Sequence, residues 1–489
     1  MKIFLAVLCV TFGLGSALAE ADQRPNIVLV FADDLGWKDV GYQGSDVIET
    51  PHLDHLAKQG MVFSAAYAAA GNCAPSRACL LSGTYTPRHH IYAVGSTGRG
   101  KLSRQRLIPI PNRSGLAKDN VTFADALKAA GYVTGHFGKW HLAGKDGALP
   151  TEQGFDVSFD SFGDGELKEG SESNKTGPPT DPKGVFTLTR KACEFMESNK
   201  DRPFFCYLAH HAIHGPLQGR PETVAKFQAK TPEAQHKHVM YAACTYDFDA
   251  SVGMLIQKLD ELDLAENTLL VFTSDNGATP LSPQEPLRGN KGCYYEGGIR
   301  EPFIVRWPGV TQPGTRCDVP VINVDLYPTF LDAAGASSPN GKVLDGESLL
   351  PLFKGEGALN RSSIFWHFPG YLDRPVIRGR ELDVRTGFRT RPVSVIHKGD
   401  WKLHLYHEEW QLDGGRKKID GNNAVELYDL KNDIGERTNL ANVNPTKRDE
   451  LLDDLLNWFG SADALVAHQP NPKYQTAAVD KNNKGKDNK

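Results

Sequence analysis

The sequence predicts an α/β protein, a large mostly parallel sheet sandwiched by helices, with a smaller C-terminal α+β antiparallel-sheet subdomain. Three observations carry this expectation. Short β-branched runs alternate with helical stretches over most of the length, the pattern of strands buried on both faces beneath crossover helices. After about Asn360 the pattern changes to short strands separated by turns. Ionisable residues follow four of the apolar runs, at the strand ends where open parallel sheets bind ligands.

The elements follow in order. Residues 1–19 read as an export signal: Lys2, an apolar run from Ile3 to Leu14, then the small-x-small stretch Ala17-Leu18-Ala19. That run is too short to span a bilayer, and no later segment approaches ~18 apolar residues. An exported chain, periplasmic or secreted and without a transmembrane segment, is therefore expected. The α/β domain is expected over 24–360, the antiparallel subdomain over 361–465, and a disordered Lys/Asn-rich tail over 471–489. Ile27–Phe31 is a buried strand, and His52–Gln59 a helix closed by Gly60. Thr122 caps a helix running to Ala130 and stopped by Gly131, which leads into a strand around Val133. Phe204–Leu208 and Thr268–Phe272 are further buried strands, and Val239–Leu262 is a long amphipathic helix. Val393–Ile396, Trp401–Tyr406 and a helix near Asp449–Phe459 make up the appendage.

The 489 residues carry a net charge of −4, which argues against a nucleic-acid binder. Eight cysteines include Cys9 in the leader and Cys73. The other six (Cys79, Cys193, Cys206, Cys244, Cys293, Cys317) form no spacing framework and read as buried small apolar residues.

The most informative stretch is Cys73-Ala74-Pro75-Ser76-Arg77. Its thiol would lie at a positive helix terminus with a guanidinium one turn on, which suits attack on an anionic ester. Asp33-Asp34 follow the first strand, Lys139 and His141 the strand at Val133, His210, His211 and His214 the strand ending at Leu208, and Asp275-Asn276 the strand ending at Phe272. Asp33, Asp34, Asp275 and Asn276 form an all-oxygen set that favours Ca2+. Taken singly, Asp-Asp-x-Gly and Asp-Asn-Gly are also ordinary turn formers. Three carboxylates on neighbouring strand ends repel without a cation, and that tips the reading to a metal. Lys139 and His141 lie two residues apart on an extended segment, so both can face one crevice. Lys291 lies in the Gly-rich run Arg288–Gly292, where a solvated lysine is the plain alternative.

Together these stretches resemble the formylglycine-dependent type I sulfatases of the alkaline phosphatase superfamily, in particular the arylsulfatase A-like branch. The resemblance runs from Pro25–Leu29 and Asp33–Gly36 through Cys73–Gly83, Gly138–Leu142, His214–Pro216, Ser274–Gly277, Arg288–Gly292 and Glu296–Pro302 to Glu426–Leu430 with Asn432–Glu436. Ile434 stands where a proline is common. The resemblance implies that a maturation enzyme converts Cys73 to formylglycine, hydrated to a gem-diol. It implies one Ca2+ per chain, held by Asp33, Asp34, Cys73 as its formylglycine, Asp275 and Asn276. Arg77 would stabilise the diol and the metal site, and Lys139, His141, His214 and Lys291 would surround the sulfate. His214 with Lys291 is the candidate acid for the leaving alcohol, and His141 the base that collapses the diol.

The expected activity is hydrolysis of sulfate monoesters, on a sulfated small molecule or glycan. Basic segments support a polyanionic substrate: Arg99, Lys101, Arg104 and Arg106, then Arg374, Arg378, Arg380, Arg385, Arg389 and Arg391. Two alternatives stay open at this point. One is a phosphatase or phosphonate monoester hydrolase, the other a non-catalytic Ca-dependent receptor for sulfated sugars.

Overall fold

In a computed structural model of the chain, described over residues 24–159, 177–230, 237–373 and 387–475, the expected fold class is the one observed. The principal sheet has eight strands. They are β1 (Asn26–Ala32), β2 (Met61–Phe63), β4 (Val133–Gly138), β5 (Val157–Phe159), β6 (Phe204–Ala209), β7 (Thr268–Ser274), β9 (Ile304–Arg306) and β10 (Thr315–Cys317). Their order is β10-β2-β9-β7-β1-β6-β4-β5. All neighbours pair in parallel except β9, which runs antiparallel to β2 and β7. A small second sheet joins β3 (Ala66–Tyr67), β8 (Arg300–Glu301) and β11 (Val321–Ile322).

The strand alternation sorts the core into two layers. Ile27, Leu29, Phe31, Phe205, Tyr207, Leu269 and Val271 face the helices Cys73–Ser82, Phe123–Ala129 and Leu326–Ala333. Val28, Val30, Cys206, Leu208, Leu270 and Phe272 face Pro51–Gln59, Val185–Ser198 and Val239–Glu261. Both faces of the central strands are thus dry, which is why these strands read as continuous apolar runs rather than alternating ones. Among the described residues no helix is long and apolar enough to cross a membrane.

Local chemistry explains several element ends. Thr122 and Asp125 form a reciprocal capping box at the start of Phe123–Ala129. Gly60 ends its helix for a different reason from the expected one. Its φ is −120°, and a β-carbon there would lie 2.4 Å from the Val305 carbonyl oxygen. Close approach of a neighbouring strand demands the glycine, not a left-handed cap.

The C-terminal sheet has the antiparallel order β12 (Ser363–Phe368), β13 (Val393–Lys398), β14 (Trp401–Tyr406), β15 (Val425–Asp429), with the helix Pro445–Ser461 packed on it. It meets the rest of the chain across a buried polar seam. Lys402 donates to Glu296 at 2.9 Å and lies 3.1 Å from Glu436. Arg300 and Tyr67 also donate to Glu296, at 2.7 and 3.0 Å. The Glu296 N–H donates to Glu436 at 2.7 Å, and His404 pairs with Glu436 at 3.1 Å.

The leader, residues 1–19, lies outside the described residues, as does 476–489. The first residues of the expected disordered tail are instead tied down. Asn471 and Gln475 donate their N–H groups to the carbonyls of Arg106 and Ser103, at 2.9 and 2.8 Å.

Candidate active site

Four contiguous strands, β7-β1-β6-β4, deliver their carboxyl ends to one crevice. Asp33 and Asp34 leave β1, Lys139 and His141 leave β4, the histidines leave β6, and Asp275 and Asn276 leave β7. Asp34 turns the chain with φ of 69° and His141 with φ of 64°. Gly138 takes φ of 117°, and a β-carbon there would lie 2.0 Å from the Ala209 carbonyl oxygen. Only glycine lets the end of β4 hug β6 in this way.

Cys73 is the first residue of the Cys73–Ser82 helix, 2% exposed. Arg77, one turn on, points the same way and is fully buried. Its guanidinium donates through two nitrogens to Asp275 Oδ2 at 2.8 and 3.1 Å and through the third to the Lys139 carbonyl at 2.9 Å. Lys139 Nζ donates to Asp33 Oδ2 at 2.6 Å. Lys291 Nζ donates to Asp34 Oδ1 and lies 3.7 Å from the Cys73 sulfur. The lysine loop is set by backbone bonds. Lys291 N–H donates to the Ala278 carbonyl at 2.8 Å, and Gly292 N–H to the Gly71 carbonyl, just before Cys73, at 2.7 Å.

The carboxylate oxygens of Asp33, Asp34 and Asp275 converge within 4.8 Å. Asn276 Nδ2 donates to Asp34 Oδ1 at 2.8 Å. Asp33 Oδ1 and Asn276 Oδ1 are buried and have no hydrogen-bond partner among the described residues. Two orphaned acceptors beside three buried carboxylates cost free energy that a hard cation removes. The residues present therefore fit a divalent metal such as Ca2+.

The electrostatics point the same way. Burial works to raise the Asp33 carboxyl, but Lys139, His214, Arg77 and Lys291 together hold it well below the usual range. Burial first, and then the charge of Asp33, push Asp275 well above that range in spite of Arg77. That is the electrostatic load a cation relieves, with release of a proton. Burial works to raise the Cys73 thiol, yet Lys139 and Lys291 bring it below its ordinary value. Burial, then Lys139 and Arg77, push His141 down to about 3, so its ring is neutral near pH 7.

Of the three histidines after β6, the structure selects one. His210 is buried against Thr189, 3.1 Å from its hydroxyl, and His211 is buried on the same strand end. His214 Nε2 lies 3.9 Å from Asp34 Oδ2, with its side chain 28% exposed. The site thus gathers Cys73, Arg77, Lys139, His141, His214, Lys291 and the four oxygen donors.

The basic segments divide. Arg106 pairs with Asp413 at 2.7 Å, and Arg391 pairs with Glu409, so both are engaged with the Glu408–Asp413 stretch rather than with the crevice. Arg99 pairs with Asp373 at 2.9 Å, and Arg389 donates to the Lys291 carbonyl at 2.9 Å, beside the site. Arg374, Arg378, Arg380 and Arg385 lie outside the described residues. Sequence reasoning missed Lys183, whose buried ammonium reaches the carbonyls of His211 and His214. A lysine between Pro182 and Gly184 carries no signal beyond a turn. No disulfide joins the seven described cysteines, which are buried except for half-buried Cys317.

A family model described as sulfatase matches residues 25–336, and one described as the C-terminal part of N-sulphoglucosamine sulphohydrolase matches residues 289–413. A sulfatase of Formosa agariphila is 32% identical, covering 88% of this chain and 86% of its own. Arylsulfatase A of Homo sapiens is 34% identical, covering 87% and 85%. Among solved structures, Ps i-CgsB in complex with k-i-k-neocarrahexaose superposes with a TM-score of 0.68 at 27% identity, covering 94% of this chain and 96% of the other.

Proposed function

This chain belongs to the sulfatase family and is a sulfuric ester hydrolase, and from that premise we propose that it works through a formylglycine made from Cys73, beside one Ca2+, on sulfated carbohydrates. The observation that carries this reading is the placement of Cys73. Its side chain starts from a helix N-terminus and lies 3.7 Å from Lys291 Nζ, at the edge of a carboxylate cluster with two orphaned oxygens.

The charge balance supports it. Asp33, Asp34 and Asp275 face Arg77, Lys139 and Lys291, so the fixed charges nearly cancel. Ca2+ held by Asp33, Asp34, Asp275 and Asn276 would supply positive charge toward a sulfate oxygen and would make a hydroxyl on residue 73 more acidic, with Asp275 placed to take its proton. Lys139 and Lys291 hold the remaining sulfate oxygens as charge spreads onto them. His214, the most open of these groups, gives its Nε2 proton to the leaving alcohol. His141, kept neutral by burial, takes a proton from the second hydroxyl of residue 73, which lets sulfate depart. Arg77 keeps Asp275 in place and contributes charge from beneath.

For the substrate, Arg99 and Arg389 stand beside the Lys291 loop, where a second anionic group of a saccharide can meet them. The structural relative bound to k-i-k-neocarrahexaose supports a saccharide. We further propose export with oxidation by a formylglycine-generating enzyme, and two structural units, 24–360 and 361–465, of which the second frames the mouth.

Mass spectrometry of the residue 73 peptide tests the chemistry directly, because formylglycine is ~18 Da lighter than cysteine. An unshifted peptide from active protein refutes the reading. Dialysis against a chelator is expected to lower kcat on an aryl sulfate more than about 10-fold, with recovery by Ca2+ and poorer recovery by Mg2+. Replacing Arg99 and Arg389 by alanine is expected to raise KM on a sulfated oligosaccharide about 10-fold and leave KM on a small aryl sulfate unchanged. An equal rise on both would place these arginines in the fold alone.

A further inference from the structure

The segment that carries His214 is held from behind. The His211–His214 turn closes with the His214 N–H donating to the His211 carbonyl at 3.2 Å. One ammonium, Lys183 Nζ, then donates to both carbonyls of that turn, at 2.8 Å to His211 and in a shorter contact to His214. Lys183 precedes the Val185–Ser198 helix with φ of 55°, and is 5% exposed. Its own N–H donates at 3.2 Å to Gln218 Oε1, four residues past His214. The lysine is thus gripped by the same segment that it grips. Burial pulls it down to about 8, while Asp33 acts to raise it, so the ammonium sits within the field of the carboxylate cluster.

The consequence for the imidazole is geometric. The Gly215 carbonyl accepts from His214 Nδ1 at 2.7 Å. A carbonyl can only accept, so Nδ1 carries a proton, and Nε2 faces Asp34 and the crevice, where it donates in the doubly protonated ring. The oxygen that Lys183 holds and the oxygen that holds the ring belong to adjacent peptide units. A rotation of the first moves the second.

We propose that Lys183 is a positioning residue that fixes the His214 ring for proton donation to the leaving alcohol. It rests on the reading of His214 as that acid, and adds a residue that touches neither metal nor sulfate. A proton donor displaced by about 1 Å loses much of its effect, and the loss grows with the basicity of the leaving oxygen, because a good leaving group needs no proton.

The test is a leaving-group series, from 4-nitrophenyl sulfate through phenyl sulfate to an alkyl sulfate, on the matured enzyme. Replacement of His214 by alanine should cost little on the first and on the order of 10²–10³-fold in kcat on the last. Lys183→Met should show the same trend in weaker form, about 3-fold rising to about 30-fold, with KM nearly constant and partial rescue in Lys183→Arg. A structural role alone lowers kcat equally across the series. A flat Lys183→Met series, or no loss at all, beside a steep His214→Ala series overturns the positioning role only. A flat His214→Ala series overturns the acid assignment, and the proposal with it. Where Lys183→Met does not fold, Gln218→Ala loosens the backbone grip and is read the same way: a steeper series supports the proposal and an unchanged one overturns it.

Discussion

Cys73→Ser is expected to keep its fold and lose steady-state turnover by on the order of 10⁴-fold or more. It is also expected to accumulate a stoichiometric adduct on residue 73, one sulfuryl group or ~80 Da heavier. The reasoning starts from position. Residue 73 is 2% exposed, between Lys291 and the carboxylate cluster. A serine hydroxyl there occupies nearly the volume of the thiol and can attack sulfur with the same clamp of lysines. It has no second oxygen, however, and so no route to expel sulfate by collapse. Water would have to reach sulfur in a site already filled by Lys139, His141 and Lys291. Cys73→Ala should be equally inactive and carry no adduct. Sustained turnover by the serine variant would remove the need for a diol.

Lys402→Met is expected to destabilise the chain by on the order of 3–5 kcal/mol, because it leaves two carboxylates facing each other in a dry seam. Lys402 is fully buried and lies 2.9 Å from Glu296 and 3.1 Å from Glu436. Burial works to raise the Glu296 carboxyl, yet Lys402 and Arg300 hold it at about 2. Burial pushes Glu436 up to about 7 against the pull of Lys402. Adding Glu436→Gln should recover part of the loss, since the seam then holds one carboxylate paired with Arg300. Glu436 also sets a pH limb. Its folded value lies above the ordinary 4.5, so its contribution is complete below about pH 4.5 and is lost as pH rises through about 7. Urea midpoints at several pH values check both points. An unchanged midpoint in Lys402→Met would mean that the seam is wet.

Much of the fold was legible because its central strands are covered on both faces. Runs such as Ile27–Phe31 and Thr268–Phe272 have no polar alternation to confuse them, and the structure extends each by one or two residues. Strands of two or three residues, such as Ala66–Tyr67 and Ile304–Arg306, left no trace. They are fixed by partners distant in sequence rather than by propensity. The candidate site was legible wherever its residues sit just beyond a strand end, as at Asp33, Lys139 and Asp275. From the residues alone the choice among His210, His211 and His214 was open, because burial decides it and the three share one short run; only the family resemblance pointed to His214. Lys183 was beyond reach for a related reason. Its partners are main-chain carbonyls, and any residue type can supply those.

The seam has a consequence for how such a protein can diversify. The stretch Arg288–Glu301 holds Lys291 against Asp34 and, five residues later, Glu296 against Lys402. Gly277 lies so close to it that a β-carbon would come 2.2 Å from the Gly297 carbonyl oxygen. One short segment thus serves the candidate site and the assembly of the seam together, and an insertion there would disturb both. The arm that carries Arg389 is tied to this same segment through its hydrogen bond to the Lys291 carbonyl, so a change of length there would be felt at Lys291 as well.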